Sequence, residues 1–243
     1  MRPLSARELL DVWEVGAAQA LAQRALLLLA AANPDRSDAA LARLSLGQRD
    51  RQLAILREWL FGPQLISVAG CPNCGERLQL TLSSQELYPA TGEMPEAIAL
   101  RIDDYDIRYR LPDSTDLLAL TQANTIADSR DVLLQRCLLN VSCAEQAQPI
   151  ETLPAQLIEA VVAHMAQADP QADVQLDLVC PACHHHWLAA FDVMAFFWKE
   201  IDDWAHRILN EIHVIASAYG WSEAAILALS PARRQLYLDL IEA

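Results

Sequence analysis

Residues 65–82 read LISVAGCPNCGERLQLTL, and residues 174–191 read VQLDLVCPACHHHWLAAF. In each stretch a Cys-Pro-x-Cys turn follows an apolar run and is followed by alternating side chains: Leu78, Leu80 and Leu82 in the first, Trp187, Ala189 and Phe191 in the second. Alternation with period two marks a half-buried strand. Each stretch therefore reads as a β-hairpin with its cysteine pair at the tip. The second hairpin mirrors the first, and no internal repeat beyond that is read.

Zinc favours a tetrahedral shell, and a C-x-x-C turn offers two sulfurs from one tight bend. Pro72 and Pro181 fix the chain direction after the first cysteine of each pair, and Gly75 permits a left-handed backbone close to a metal. The expectation is that Cys71, Cys74, Cys180 and Cys183 share one structural Zn2+. The pairs lie about a hundred residues apart, a spacing that a folded insertion tolerates because closure entropy grows slowly with length. Redox chemistry is the rival reading, but a reactive C-x-x-C sits at a helix N-terminus, and these lie between strands. His184 could replace one sulfur, and His184-His185-His186 could hold a second ion, although four thiolates already fill a tetrahedron. Cys137 and Cys143, placed on a helix and at its end, read as small core residues.

Helices account for most of the remainder. Only 7 Gly and 12 Pro occur in 243 residues, against long runs of Ala and Leu. Ser5 and Glu8 have capping-box spacing, and Leu9, Trp13, Ala17, Leu21 and Leu28 predict one helix running to Asn33-Pro34. A second is expected from Leu46 to Leu60, ending at Gly62-Pro63 and antiparallel to the first. The middle predicts a hairpin of Ile98–Ile102 and Tyr105–Leu111 around Asp103-Asp104, then helices over Thr115–Thr121, Ile126–Asn140 and Pro154–Gln167. Phe197, Ile201, Trp204, Ile208, Ile212, Ile215 and Tyr219 mark a long helix from Val193 that Gly220 caps, followed by short helices over Glu223–Leu229 and Pro231–Glu242.

The fold class expected is mainly α with a small β module (α+β). Two knuckles form a zinc-ribbon-like unit whose flanking strands pair together, with helices around it. Three regions follow: an N-terminal helical hairpin (1–62), the knuckle module (63–192) with a helical insertion (about 90–172), and a C-terminal helical region (193–243).

The formal net charge of −14 has the wrong sign for displacing counterions from a phosphate backbone or binding an anionic membrane. The apolar run Ala25–Ala32 is too short to span a bilayer. With neither a signal peptide nor a transmembrane helix read, six cysteines suggest a reducing cytoplasm and a metal. No glycine-rich phosphate loop, G-x-S-x-G elbow or H-E-x-x-H occurs. Asp103, Asp104 and Asp106 read as turn chemistry, and His206 and His213 as surface residues.

The segment from Glu211-Ile212-His213 through Ala218-Tyr219-Gly220-Trp221-Ser222 to Arg233-Arg234-Gln235-Leu236-Tyr237-Leu238 resembles the T-even-type baseplate hub assembly proteins of contractile-tailed phages and related contractile injection systems. The likeness is read most strongly over Phe191 to Glu242 and extends across both knuckles. It implies a non-enzymatic chaperone or minor component of a baseplate hub, made in the bacterial cytoplasm, with a hub, spike or tape-measure protein as partner. Tyr219, Trp221, Arg233, Arg234 and Tyr237 are the candidate docking residues, since Trp, Tyr and Arg dominate binding hot spots. Trp221 could equally plug its turn against Ile226 and Leu229, and Tyr237 could be core. The two arginines fall in a first helical turn that disfavours positive charge, which suggests an acidic partner or an intramolecular carboxylate such as Asp239 or Glu242. Two other classes stay open. A zinc-ribbon regulator of nucleic acid would need a basic face, for which Arg49, Arg51, Arg57, Arg233 and Arg234 are too few. A thiol or zinc enzyme would need an open coordination position or an activated cysteine.

Overall fold

The computed structural model describes residues 1–89, 92, 95–120 and 125–242. Helix α1 (Ala6–Gly16) begins at the capping box of Ser5 and Glu8. The single long helix expected here is two, because α2 (Leu21–Ala32) starts after a break. Packing causes the break. Gly16, the last residue of α1, packs against the Trp198 indole, where a Cβ would stand 2.3 Å from Cη2. The Arg24 guanidinium donates to the freed carbonyls of Gly16 and Ala17, both at 2.9 Å, and lies 4.4 Å over the Trp198 ring. Helix α3 (Asp38–Ala42), capped by Ser37, precedes α4 (Leu46–Phe61), which opens on a Ser45/Gln48 capping box and stops at Gly62 with φ +91°.

The chain then enters β1 (Gln64–Gly70) and β2 (Arg77–Ser83), an antiparallel hairpin pairing Leu65 with Leu82 and Gly70 with Arg77. Helix α5 (Ser84–Leu87) follows directly. The hairpin expected in the insertion is present and is extended by two further strands into a sheet. Strands β3 (Ile98–Ile102), β4 (Tyr105–Tyr109), β5 (Leu138–Cys143) and β6 (Gln146–Ala147) form one antiparallel sheet in that order. With them come α6 (Ser114–Ala119), α7 (Ile126–Cys137) and α8 (Ala155–Ala168). The expected end of α6 at Thr121 lies outside the described residues. Helix α7 stops at Cys137 and not at Asn140, because Leu138 and Val141 are claimed by the sheet opposite Tyr109 and Ile107. Cys143 therefore ends a strand and not a helix.

The second hairpin, β7 (Val174–Val179) and β8 (His186–Phe191), pairs Val174 with Phe191 and Val179 with His186. Asp192 then caps α9 (Val193–Tyr219), whose end is Gly220 in the left-handed region at φ +68°. Helices α10 (Glu223–Leu227) and α11 (Pro231–Glu242) complete the described chain.

Helix α9 is the spine. Its first turns put Met194, Phe197 and Ile201 into one core with Leu9, Leu28, Leu53 and Leu56, and its later turns put Ile208, Ile212 and Ile215 into another with Leu10 and Ile226. The two hairpins leave this helical body side by side, one from the end of α4 and the other into the start of α9. Arg57 on α4 forks onto Glu200 of α9 at 2.8 and 2.5 Å, and Phe61 meets Phe197 edge-on with centroids 6.0 Å apart. Among the described residues no helix is long and apolar enough to cross a membrane.

Candidate metal centre

Each hairpin tip is built by the same two backbone hydrogen bonds. The Cys71 amide donates to Glu76 O at 2.8 Å and the Gly75 amide to Cys71 O at 2.9 Å. In the second tip the Cys180 amide donates to His185 O at 3.0 Å and the His184 amide to Cys180 O at 2.9 Å. The residue after the second cysteine turns left-handed in both, Gly75 at φ +78° and His184 at φ +56°. That conformation is what lets a tight bend present two sulfurs, and histidine is among the non-glycine residues that adopt it more readily.

The tips meet. Cys71 Sγ lies 3.7 Å from Cys183 Sγ and Cys74 Sγ 3.6 Å from Cys180 Sγ, and the four sulfurs all lie within 4.8 Å of one another. Thiolates on a tetrahedral zinc, with bonds near 2.3 Å, stand about 3.8 Å apart, so the set fits an ion of that kind and could hold one. Of the sequence expectation for these four residues, their meeting in space is found, across 106 to 112 residues of chain. One further part of it is corrected. The strands flanking the knuckles do not join into one sheet: β1 pairs with β2, β7 pairs with β8, and the two hairpins are separate two-stranded sheets. Each ribbon is satisfied by its own partner strand, which leaves the sulfurs as the meeting point.

The second cysteine of each tip is shifted, in opposite directions. Asn73 Nδ2 donates to Cys183 Sγ at 3.5 Å, and with the His185 amide this draws the Cys183 thiol down to about 6. Cys74 goes the other way, to about 12: the Glu76 amide favours its thiolate but is outweighed by the sulfurs of Cys183 and Cys180. Four thiolates this close repel one another unless a cation stands among them. Asn73 was not singled out by spacing, and a side-chain amide between two cysteines is a signal that could have been used. His184 is exposed and lies outside the four-sulfur group, as do His185, stacked on Trp187 at 6.1 Å, and His186.

At the C-terminus Tyr219, Trp221 and Tyr237 form a three-ring cluster, with centroids 5.1 Å apart for Tyr219–Trp221, 4.9 Å for Trp221–Tyr237 and 5.6 Å for Tyr219–Tyr237. Trp221 and Tyr237 also pack on the core that holds Ile226. Arg233 is exposed. Arg234 is not: at 5% exposure it pairs with Glu211 of α9 at 3.0 Å and donates to Leu229 O at 2.8 Å. The carboxylate that compensates it is thus Glu211 and not Asp239, which accepts instead from Gln235; the side chain of Glu242 lies outside the described residues. Arg234 ties α11 to α9 and offers little surface for docking.

The remaining candidates separate. Asp103, Asp104 and Asp106 are exposed around the β3–β4 turn, and His206 bonds within its own helix to Asp202 O. Cys137 is buried, with its thiol pushed up to about 12 by burial and by Asp116. Sequence reading missed the network beside it, where Asp116 accepts from Arg110 at 2.6 and 2.8 Å and from Arg136 at 2.6 Å. Such pairs join elements with no periodic signature.

The family model described as T4 bacteriophage base plate protein matches residues 19–198. The match takes in both cysteine pairs and stops in the second turn of α9. The segment from Glu211 to Leu238, on which the sequence resemblance was read, lies beyond it. No curated protein and no solved structure matches the chain.

Proposed function

The chain belongs to the T4 bacteriophage base plate protein family, and on that premise we propose that it is a non-enzymatic assembly protein of the baseplate hub. It acts as a chaperone or minor structural component of a contractile phage tail or related contractile injection system, in the cytoplasm of the bacterial host. The family match over residues 19–198 carries this reading. The partner is a hub, spike or tape-measure protein. The aromatic trio of Tyr219, Trp221 and Tyr237, with the exposed Arg233 one helical turn before Tyr237, is the surface of the right chemistry to meet it.

A structural zinc on Cys71, Cys74, Cys180 and Cys183 belongs to the same reading. The sulfur spacing supports it, and a complete four-thiolate shell has no open position for a substrate or an activated water, which supports a structural role over catalysis. Bound zinc would hold the four sulfurs as thiolates.

Deleting the gene in a phage or injection-system producer tests the proposal. Assembled particles are expected to be lost and to return with the intact gene supplied in trans. Normal particle yield from the deletion would overturn it. Peptide mass spectrometry of purified particles then separates the two roles, since a chaperone is absent from them and a component is present.

A further inference from the structure

The two hairpins are equivalent half-sites. Aligned on their cysteines, Cys71 corresponds to Cys180, Cys74 to Cys183, Gly75 to His184 and Leu78 to Trp187. Both tips are closed by the same pair of amide hydrogen bonds, and both second strands run directly into a helix, β2 into α5 and β8 through Asp192 into α9. The sulfur contacts respect this equivalence. The first cysteine of each pair approaches the second cysteine of the other, at 3.7 and 3.6 Å. Neither hairpin can fill a tetrahedral shell alone, and together they fill it once.

The roots and the tips are held differently. At the roots Leu65 and Val193 are buried, Arg57 forks onto Glu200, Phe61 packs on Phe197, and Val174 and Phe191 lean on the main core. Further out, no strand of one hairpin is hydrogen-bonded to a strand of the other, and Ile66, Val68 and Leu188 face solvent. Backbone ladders and buried area therefore secure each ribbon to itself and to the helices, while the sulfurs, with Asn73 donating to Cys183, join the tips.

We propose that the ion is a clasp between the two ribbons, regulating whether their tips form one rigid unit. With the ion bound the tips are locked together. Without it they part, while α4 and α9 stay folded beneath them. Zinc supply therefore controls the shape of the ribbon end and leaves the helical body intact. The inference rests on the zinc reading above.

The test uses the full chain, purified under reducing conditions, with zinc measured by elemental analysis and amide hydrogen exchange followed by mass spectrometry before and after chelation. One zinc per chain is expected. Chelation should speed exchange about tenfold or more in residues 68–77 and 177–186 together, leave peptides of α4 and α9 protected, and be reversed by added zinc. The double variants Cys71→Ser/Cys74→Ser and Cys180→Ser/Cys183→Ser should lose zinc to the same extent. Absence of zinc from the reduced, folded chain would overturn the zinc reading and the clasp with it. Zinc present, with chelation exposing one tip alone, neither tip, or α4 and α9 as well, would overturn the clasp and leave the zinc reading standing.

Discussion

Replacing Arg57 by Ala asks whether one side chain holds the roots of both ribbons. Arg57 is 2% exposed, its Nε and Nη2 donate to Glu200 at 2.8 and 2.5 Å, and its Nη1 donates to Gly62 O at 2.5 Å. Gly62 is the residue at which α4 turns toward β1, so the guanidinium joins that turn to the first turns of α9. The substitution removes three charge-assisted bonds and leaves the Glu200 carboxylate unpaired. Stripping one partner from a wholly buried pair costs about 3–5 kcal/mol. The Glu200 side chain keeps 26% of its surface and regains water, which places the expected loss near the bottom of that range, about 3 kcal/mol. For a chain of this size that is a fall of roughly 6–12 °C in Tm. Urea unfolding should show a lower midpoint at unchanged m. Glu200→Gln keeps an acceptor and should cost about 1 kcal/mol, and Arg57→Lys, which keeps the charge but not the fork, should fall between them. Arg57→Ala within about 0.5 kcal/mol of the native chain would refute the reasoning and leave the roots to the packing of Phe61 on Phe197.

Three further outcomes are expected. Gly16→Ala gains about 1 kcal/mol of helix propensity but drives a methyl to 2.3 Å from Trp198. Overpacking of about 1–3 kcal/mol should win in calorimetry, and the sign should reverse in a Trp198→Leu background. Burial raises the Asp50 carboxyl to about 6, above its unfolded value of about 3.9. Its contribution to stability is therefore fully present below about pH 4 and is lost as pH rises through 6; Asp50→Asn should flatten that slope in denaturant titrations run from pH 4 to 8. The adjacent arginines should part company: Arg233→Ala should leave stability within about 0.5 kcal/mol, whereas Arg234→Ala, which strands Glu211, should cost about 2–4 kcal/mol; equal urea midpoints for the two would contradict the burial seen here.

Elements defined by local periodicity were legible. Val174–Val179, the α9 span with its Gly220 cap and α11 follow from alternation, from three-and-four spacing and from Ser-Pro, all of which act within a few residues. The four cysteines were legible because ligand identity and spacing are local, although their meeting is not. What escaped reading depends on contacts between distant residues. The break after Gly16 is dictated by Trp198, the end of α7 by the strand opposite Leu138, and the burial of Arg234 by Glu211. Strand pairing escaped for the same reason. Mirrored alternation predicts two hairpins equally well whether they share a sheet or stand apart, and each knuckle's own turn had already satisfied its strands.

The family match covers one part of this architecture and stops short of the other. Residues 19–198 contain α2, α4, both ribbons, all four clustered cysteines and the part of α9 that packs on α4. They leave out α1 and the later turns of α9 with α10 and α11, which close around Leu10, Ile208, Ile212, Ile215 and Ile226. The matched span thus includes the rooted pair of ribbons, and the aromatic trio lies beyond it. Helix α9 connects the two, since its first turns anchor the ribbon roots through Glu200 and Phe197 while its last turn carries Tyr219. A partner held at the aromatic end would be fixed by one 27-residue helix, a rod of about 40 Å at 1.5 Å per residue, relative to the ribbon roots.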